Sequence, residues 1–342
     1  MGIHCEICLK CPPNNVYTSG SIVAGEIKYA VDETTAFKRI TMSLKCIATL
    51  RIKKRTRGKN QGVSFNKAKY CNIEEVILDS ATGNATVDIG SYTAPFKFQI
   101  PQRTPPSVDV FRKQLSHSMK YKVGYYIAMK FEKSNFLSST KRFKKEIQVM
   151  SDIIPTLIRD PMTYGEKKTL FQPFSSTESV INVKSTILSS VVCAGDTVQF
   201  EYEVANNSHV TIRSVETKIV EMINSKKRLK HFTFCNDLEG TDSKTGSIVN
   251  GKTQQMIVDI KVPDDCLTID SCQLAERNYS VSIAVELPMP HTNFELTIPL
   301  QIMLKSNEPN SGSSSKQNEQ DTDAPPSYWD VMSEDKKTEE DS

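Results

Sequence analysis

The sequence predicts an all-β protein: two similar β-sandwiches in tandem, followed by a disordered tail. Three observations predict this. Short segments alternate apolar and polar residues at period two, those segments recur once along the chain in the same order, and the composition changes abruptly after Lys305.

The alternation comes first. In "SIVAGEIKYAV" (21–31), Val23, Gly25, Ile27, Tyr29 and Val31 share one face, while Ile22, Ala24, Glu26 and Lys28 share the other. In "ITMSLKCIATLRI" (40–52), Ile40, Met42, Leu44, Cys46, Ala48, Leu50 and Ile52 alternate strictly. "KVGYYIAMKF", "TVQFEYEVA", "QMIVDIKV", "YSVSIAVEL" and "FELTIPLQIML" follow the same rule. Successive side chains of a strand point to opposite faces, so such runs are half-buried antiparallel strands. Many of them without intervening helical periodicity indicate sandwiches or barrels, not βαβ units. The one helix expected is "DVFRKQLSHSMK" (109–120), where Val110, Leu115 and Met119 are partly helix-spaced.

The recurrence comes second. "VYTSGSIVAGEIKYAV" around Gly20 matches "VVCAGDTVQFEYEVAN" around Gly195, "KFQIP" ending at Pro101 matches "DIKVP" ending at Pro263, and "YKVGYYIAMKF" at Tyr121 matches "YSVSIAVEL" at Tyr279. Three matches in order, with a slowly shrinking offset, indicate two copies of one domain with loops of different length. The expected organisation is a first sandwich at 1–152, a linker at 153–169 containing Pro155 and Pro161, and a second sandwich at 170–306. Residues 307–342 are rich in Ser, Asn, Gln, Glu and Asp, and bury too little apolar surface to offset chain entropy.

Composition and motifs exclude several functions. No apolar stretch reaches the roughly 18–20 residues that span a bilayer, and the N-terminus lacks a signal-peptide layout. Nine scattered cysteines read as reduced cytosolic thiols, which leaves the sequons at Asn84, Asn206 and Asn278 without meaning. "GSIVNGKT" (246–253) fits the phosphate-loop pattern, yet a polar loop precedes it and an alternating strand follows, where phosphate binding needs a strand and then a helix. "CEICLKC" spaces Cys5, Cys8 and Cys11 as C-x-x-C-x-x-C, but alternation of Ile3, Cys5, Ile7 and Leu9 reads as a first strand and no metal is expected. The five histidines lie in no nucleophile motif, so no catalytic residue and no cofactor is assigned.

Charge is more informative. Residues 307–342 carry 10 acidic and 3 basic side chains, a net of −7, and the chain as a whole is +3, so residues 1–306 carry +10. Nine basic residues and no acid lie between Lys45 and Lys69; eight lie between Lys120 and Lys145 against Glu132 alone. Arg51, Lys53, Lys54, Arg55, Arg57, Lys141, Arg142, Lys144 and Lys145 are therefore candidate contacts to acidic protein segments or anionic lipid, as against ordinary solvated strand edges guarded by lysine. Nucleic acid is not expected, since no aromatic residues interleave the runs for base stacking.

The tail holds the only tryptophan, in "DAPPSYWDV" (323–331). Pro325, Pro326 and Tyr328 form a P-P-x-Y motif: the prolines pre-set a polyproline II turn that docks on the aromatic groove of a WW domain, and the tyrosine fills an adjoining pocket. Trp329 and Val331 can extend that contact. Pro105-Pro106-Ser107-Val108 shares the prolines without the tyrosine and reads as structural.

Tandem sandwiches with such a tail resemble an α-arrestin, an arrestin-domain-containing protein. "VYTSGSIVAGEIKYAV", "FKFQIPQRTPPSVD", "DSCQLAERNYSVSIAVEL", "LTIPLQI" and "APPSYWDV" each look like a family element in the family's order, although Val108 replaces an aromatic and one P-P-x-Y stands where two are usual. The resemblance implies arrestin-like immunoglobulin-type sandwiches in a non-catalytic adaptor. Its lobes would bind cytoplasmic segments of membrane receptors or transporters, and its tail would recruit a WW-domain HECT-type ubiquitin ligase, promoting ubiquitination and endocytosis. It implies a cytoplasmic protein peripherally associated with plasma membrane and endosomes. Two alternatives stay open: a thioredoxin-binding redox regulator of the same family, and an endosomal sorting-coat subunit of arrestin-like fold. In a melting assay, magnesium and ATP should leave the melting temperature unchanged; stabilisation by the nucleotide would revive the phosphate-loop reading of 246–253.

Overall fold

In a computed structural model, alternation becomes strand wherever it was found: residues 21–31 form β3 (Ile22–Val31), with Val23, Ile27, Tyr29 and Val31 buried. The structure describes residues 2–12, 14–54, 62–80, 85–133, 140–151, 154–171, 178–226, 232–270 and 272–305. Among them there is no helix. The first lobe comprises β1 (Ile3–Leu9), β2 (Val16–Thr18), β3, β4 (Thr35–Lys54), β5 (Val63–Asp79), β6 (Ala85–Val87), β7 (Gly90–Gln99), β8 (Val108–Lys113), β9 (His117–Lys133) and β10 (Lys141–Met150). A three-stranded sheet, β1-β3-β7, packs on a larger one ordered β2-β10-β9-β4-β5, with β6 on β4 and β8 on β9.

The second lobe comprises β11 (Met162–Leu170), β12 (Ser179–Ile187), β13 (Val191–Cys193), β14 (Thr197–Asn207), β15 (Ser214–Ser225), β16 (Thr233–Asp237), β17 (Ser243–Lys244), β18 (Thr253–Lys261), β19 (Ala275–Glu286) and β20 (Phe294–Met303). Its sheets are β11-β12-β14-β18 and β13-β20-β19-β15-β16, with β17 on β15.

The internal repeat holds at the level of single hydrogen bonds. Gly20 and Gly195 both adopt φ +80°, the left-handed region where a side chain would clash. The Gly20 amide donates to the Ile100 carbonyl and the Gly195 amide to the Val262 carbonyl, each at 3.1 Å. In return, Ile100 N–H donates to Ser21 O at 2.9 Å and Val262 N–H to Asp196 O at 2.8 Å. A short strand precedes each glycine and runs parallel to the last strand of its lobe, β2 on β10 and β13 on β20. Val23 and Val198 are both fully buried, as are Tyr121 and Tyr279.

Two expectations need correction. Residues 109–120 are not helical but form the β8–β9 hairpin, closed by Gln114 N–H donating to His117 O at 2.8 Å. The helical spacing failed because Leu115, which it placed on the apolar stripe, is 98% exposed at the turn, while Val110 and Met119 are buried at strand period. The linker expected at 153–169 ends early, because Met162–Leu170 is the edge strand β11. What remains of the connection is clamped by the buried Gln301 of β20. Its amide oxygen accepts from the Thr156 and Leu157 amides at 2.9 and 3.2 Å.

The lobes share a core. The inner face of β4, β9 and β5 is longer than the three-stranded sheet that covers it. Ile223, Phe234, Ile269, Cys272 and Ala275 of the second lobe belong to the same buried cluster as Leu44, Cys46 and Tyr125 of the first. A β-bulge leaves Tyr70 unpaired between Cys71 and Lys69, and its hydroxyl reaches the Cys272 thiol at 2.8 Å and the Gln273 amide at 2.5 Å. Beside this patch, Arg112 of β8 pairs bidentately with Glu221 of β15, at 2.5 and 3.0 Å, and Arg277 of β19 donates to the same carboxylate at 2.7 Å. Glu221 and Arg277 are 0% and 2% exposed. Removing one partner of a buried ion pair strands the other, so Glu221→Ala should cost about 3–5 kcal/mol in urea unfolding. Arg112→Ala should cost less, because its side chain is 23% exposed; equal losses would mean the triad is not the buried element described.

Candidate functional site

Strand register assembles the candidate site on the outward face of the large first-lobe sheet. Residues directly opposite in antiparallel strands stand on the same side. Inward positions of β4 (Ile40, Met42, Leu44, Cys46, Ala48, Leu50, Ile52) are buried, so Lys45, Ile47, Thr49, Arg51 and Lys53 face out. Register adds Lys120 of β9 and Phe65 of β5 beside Arg51, Lys122 and Lys67 beside Thr49, and Lys69 beside Ile47. Arg142 and Lys144 of β10 join through Lys130 and Ala128 of β9.

The face is basic and only partly neutralised. Asp109 lies 3.5 Å from both Lys120 and Lys122, Glu146 lies 2.8 Å from Lys122, and Lys130 pairs closely with Glu132, whose carboxyl it holds below its usual range. Lys45, Arg51, Lys53, Lys67, Lys69, Arg142 and Lys144 make no salt bridge among the described residues. Lys144 instead sits over the Tyr126 ring, 4.9 Å from its centroid. Clustered like charges on an open face raise the local concentration of anions.

Of the nine basic residues singled out from the sequence, register puts Arg51, Lys53, Arg142 and Lys144 on this face. Lys54, opposite His117, and Lys141, opposite Phe131, have the other parity. So does Lys145, whose ammonium donates to the Ile7 carbonyl at 3.0 Å on the first lobe's β1. Arg55 and Arg57 lie outside the described residues, as do Pro325, Pro326, Tyr328, Trp329 and Val331. Sequence reasoning did not single out Lys67, Lys69, Lys120, Lys122, Phe65 or Phe111 as site residues. The available signal was parity: "VSFNK" places Val63, Phe65 and Lys67 on one side, and "DVFRK" does the same for Asp109, Phe111 and Lys113.

The other motifs fall into structural positions. Cys5 and Cys8 lie on opposite faces of β1, so the C-x-x-C-x-x-C spacing does not converge; among the described residues no group of three His, Cys, Asp or Glu is placed to hold a metal. In 246–253, Ile248 is buried and bridges Ile212, Asn206 Nδ2 donates to the Ile248 carbonyl at 2.9 Å, and β18 follows. Burial pushes the Cys5 thiol up to about 11 and the Cys46 thiol up to about 12, and raises Cys71 and Cys266 as well. A thiol with a raised pKa is protonated at neutral pH and unreactive. Cys11 and Cys235 are exposed.

A family model described as Arrestin (or S-antigen), N-terminal domain, matches residues 5–157, and one described as Arrestin (or S-antigen), C-terminal domain, matches residues 177–307. A search of curated proteins found no match. Titration of the native protein with a disulfide reagent at pH 8 should label Cys11 and Cys235 first, with Cys5 and Cys46 reacting only after denaturation or well above that pH. Fast labelling of Cys5 or Cys46 in the native protein, located by peptide mass mapping, would contradict the burial described.

Proposed function

The chain belongs to the arrestin family, and from that premise we propose that it is a non-catalytic adaptor that joins membrane-protein cargo to a ubiquitin ligase. Arrestin domains serve in general as adaptors in trafficking and bind the cytoplasmic parts of receptors. The observation that carries the finer reading is Pro325-Pro326-Ser327-Tyr328 in a polar, acidic segment that begins after the second lobe. There the motif recruits the WW domains of a HECT-type ligase through its proline-stiffened turn and its tyrosine. Trp329 and Val331 lengthen the contact.

The outward basic face takes the cargo. Acidic cytoplasmic segments of receptors or transporters pair with Lys45, Lys67, Lys69, Arg142 and Lys144, which make no salt bridge among the described residues. The division of labour follows the charge: a +10 body for anionic cargo, a −7 arm for the ligase. Ubiquitination of the cargo and its internalisation follow from holding both partners on one chain, by raising their effective concentration.

Tyr328→Ala should abolish binding of the full chain to a WW domain in a pull-down while leaving the melting temperature unchanged. Retained WW binding, or a lowered melting temperature, would count against the tail motif as the recruiting element.

A further inference from the structure

At the end of the outward face nearest the β8–β9 turn, the polar parity carries apolar side chains. One cross-strand row runs Phe111, Lys120, Arg51, Phe65 across β8, β9, β4 and β5. The next outward row runs Lys113, Ser118, Lys53, Val63. Phe111 is 57% exposed, Phe65 60%, Val63 50%, and Leu115 projects from the adjoining turn. Strand spacing sets the two rings about 14 Å apart, with the cations between them. Large exposed apolar side chains grouped on one patch mark a binding surface. They have no core to fill here, since Leu50, Ile52, Val110 and Met119 of the same strands already face inward and are buried.

We infer that this patch, Phe65, Phe111, Val63 and Leu115 around Arg51, Lys53 and Lys113, docks the first lobe on an anionic lipid surface. The chemistry selects a bilayer over a peptide. Arg51 and Lys53 make no salt bridge among the described residues, and the acids of the face enter only at the following row with Asp109. Cations for headgroup phosphates are thus interleaved with rings and aliphatic chains that reach the acyl boundary, which is the composition of an interfacial anchor. The patch is one side of a sheet and not a groove, so its side chains project together toward a surface. A peptide recognised by strand addition would use the edges that β5 and β8 leave open among the described residues, through main-chain hydrogen bonds and not through this outward face. The inference goes beyond the adaptor reading and is separable from it: Tyr328→Ala should bind lipid as the wild type does.

The test is sedimentation of the full chain with vesicles of phosphatidylcholine alone and with about a third phosphatidylserine. Wild type should bind the serine-containing vesicles only, and raised salt should weaken the binding. Phe65→Ser with Phe111→Ser should reduce binding about tenfold or more, and Arg51→Gln with Lys53→Gln should also reduce it, roughly fivefold per charge. Ile257→Ser, which removes an exposed side chain of β18 in the other lobe, should change nothing. All these positions are solvent-exposed or half-exposed, so thermal melts should match wild type. Undiminished binding by the double serine variant would overturn the inference. So would a wild type that ignores the vesicles while binding an acidic phosphorylated peptide.

Discussion

The rest of the structure depends on one mismatch of length: the inner face of β4, β9 and β5 extends beyond the small sheet that covers it. Part of that face is closed by β1, β3 and β7 from its own lobe. The remainder, around Cys46, Tyr70 and Tyr121, faces the second lobe at Cys272. Ile223, Phe234, Ile269, Cys272 and Ala275 of the second lobe dry it instead. Apolar burial of this kind stabilises by about 25 cal/mol per Å², so the two sandwiches are bound by the same force that folds each of them. Their relative placement is part of the core.

Polar groups inside that contact fix its register. Glu221 accepts from Arg112 of the first lobe and Arg277 of the second, and Arg277 also donates to the Asp265 carbonyl at 3.2 Å. An apolar contact alone tolerates sliding; a carboxylate held by the Arg112 fork and by Arg277 Nε does not. Tyr70, set free by a bulge in β5, adds a second polar pin at Cys272 and Gln273. The same architecture explains why four of the nine thiols behave as small hydrophobes. Cys46, Cys71, Cys266 and Cys272 are buried, and burial favours the protonated form of Cys46, Cys71 and Cys266, while exposure singles out Cys11 and Cys235 for chemistry.

Because the inner face is fully committed to packing, the outer face of the large sheet is free to carry function. Strand alternation makes the separation clean: one parity of β4 is a core stripe from Ile40 to Ile52, and the other is a basic stripe from Lys45 to Lys53. The cations are presented by a stiff sheet whose shape is set from behind. The graded composition along it, charged toward Lys144 and mixed with rings toward Phe65 and Phe111, gives the two ends different chemistry on one rigid support.

The all-β class, the two-fold repeat at Gly20 and Gly195, and the inward residues of each strand were legible in the amino-acid order, because side-chain alternation and turn conformation are local properties of the backbone. Pro325-Pro326-Ser327-Tyr328 is likewise a short linear pattern, read from the sequence alone and outside the described residues. The hairpin at 109–120 was misread since a few apolar residues fit either period, and only pairing with the rest of β9 chose between them. What only the tertiary structure decided is which lysines share a face, that Lys145 serves the β1 edge while Lys67 stands beside Arg51's row, and that Arg112 finds Glu221 more than a hundred residues away. Those facts depend on strand register and on the docking of two lobes. Both are set by long-range packing, and packing is a property of surfaces that exist only once the chain has folded.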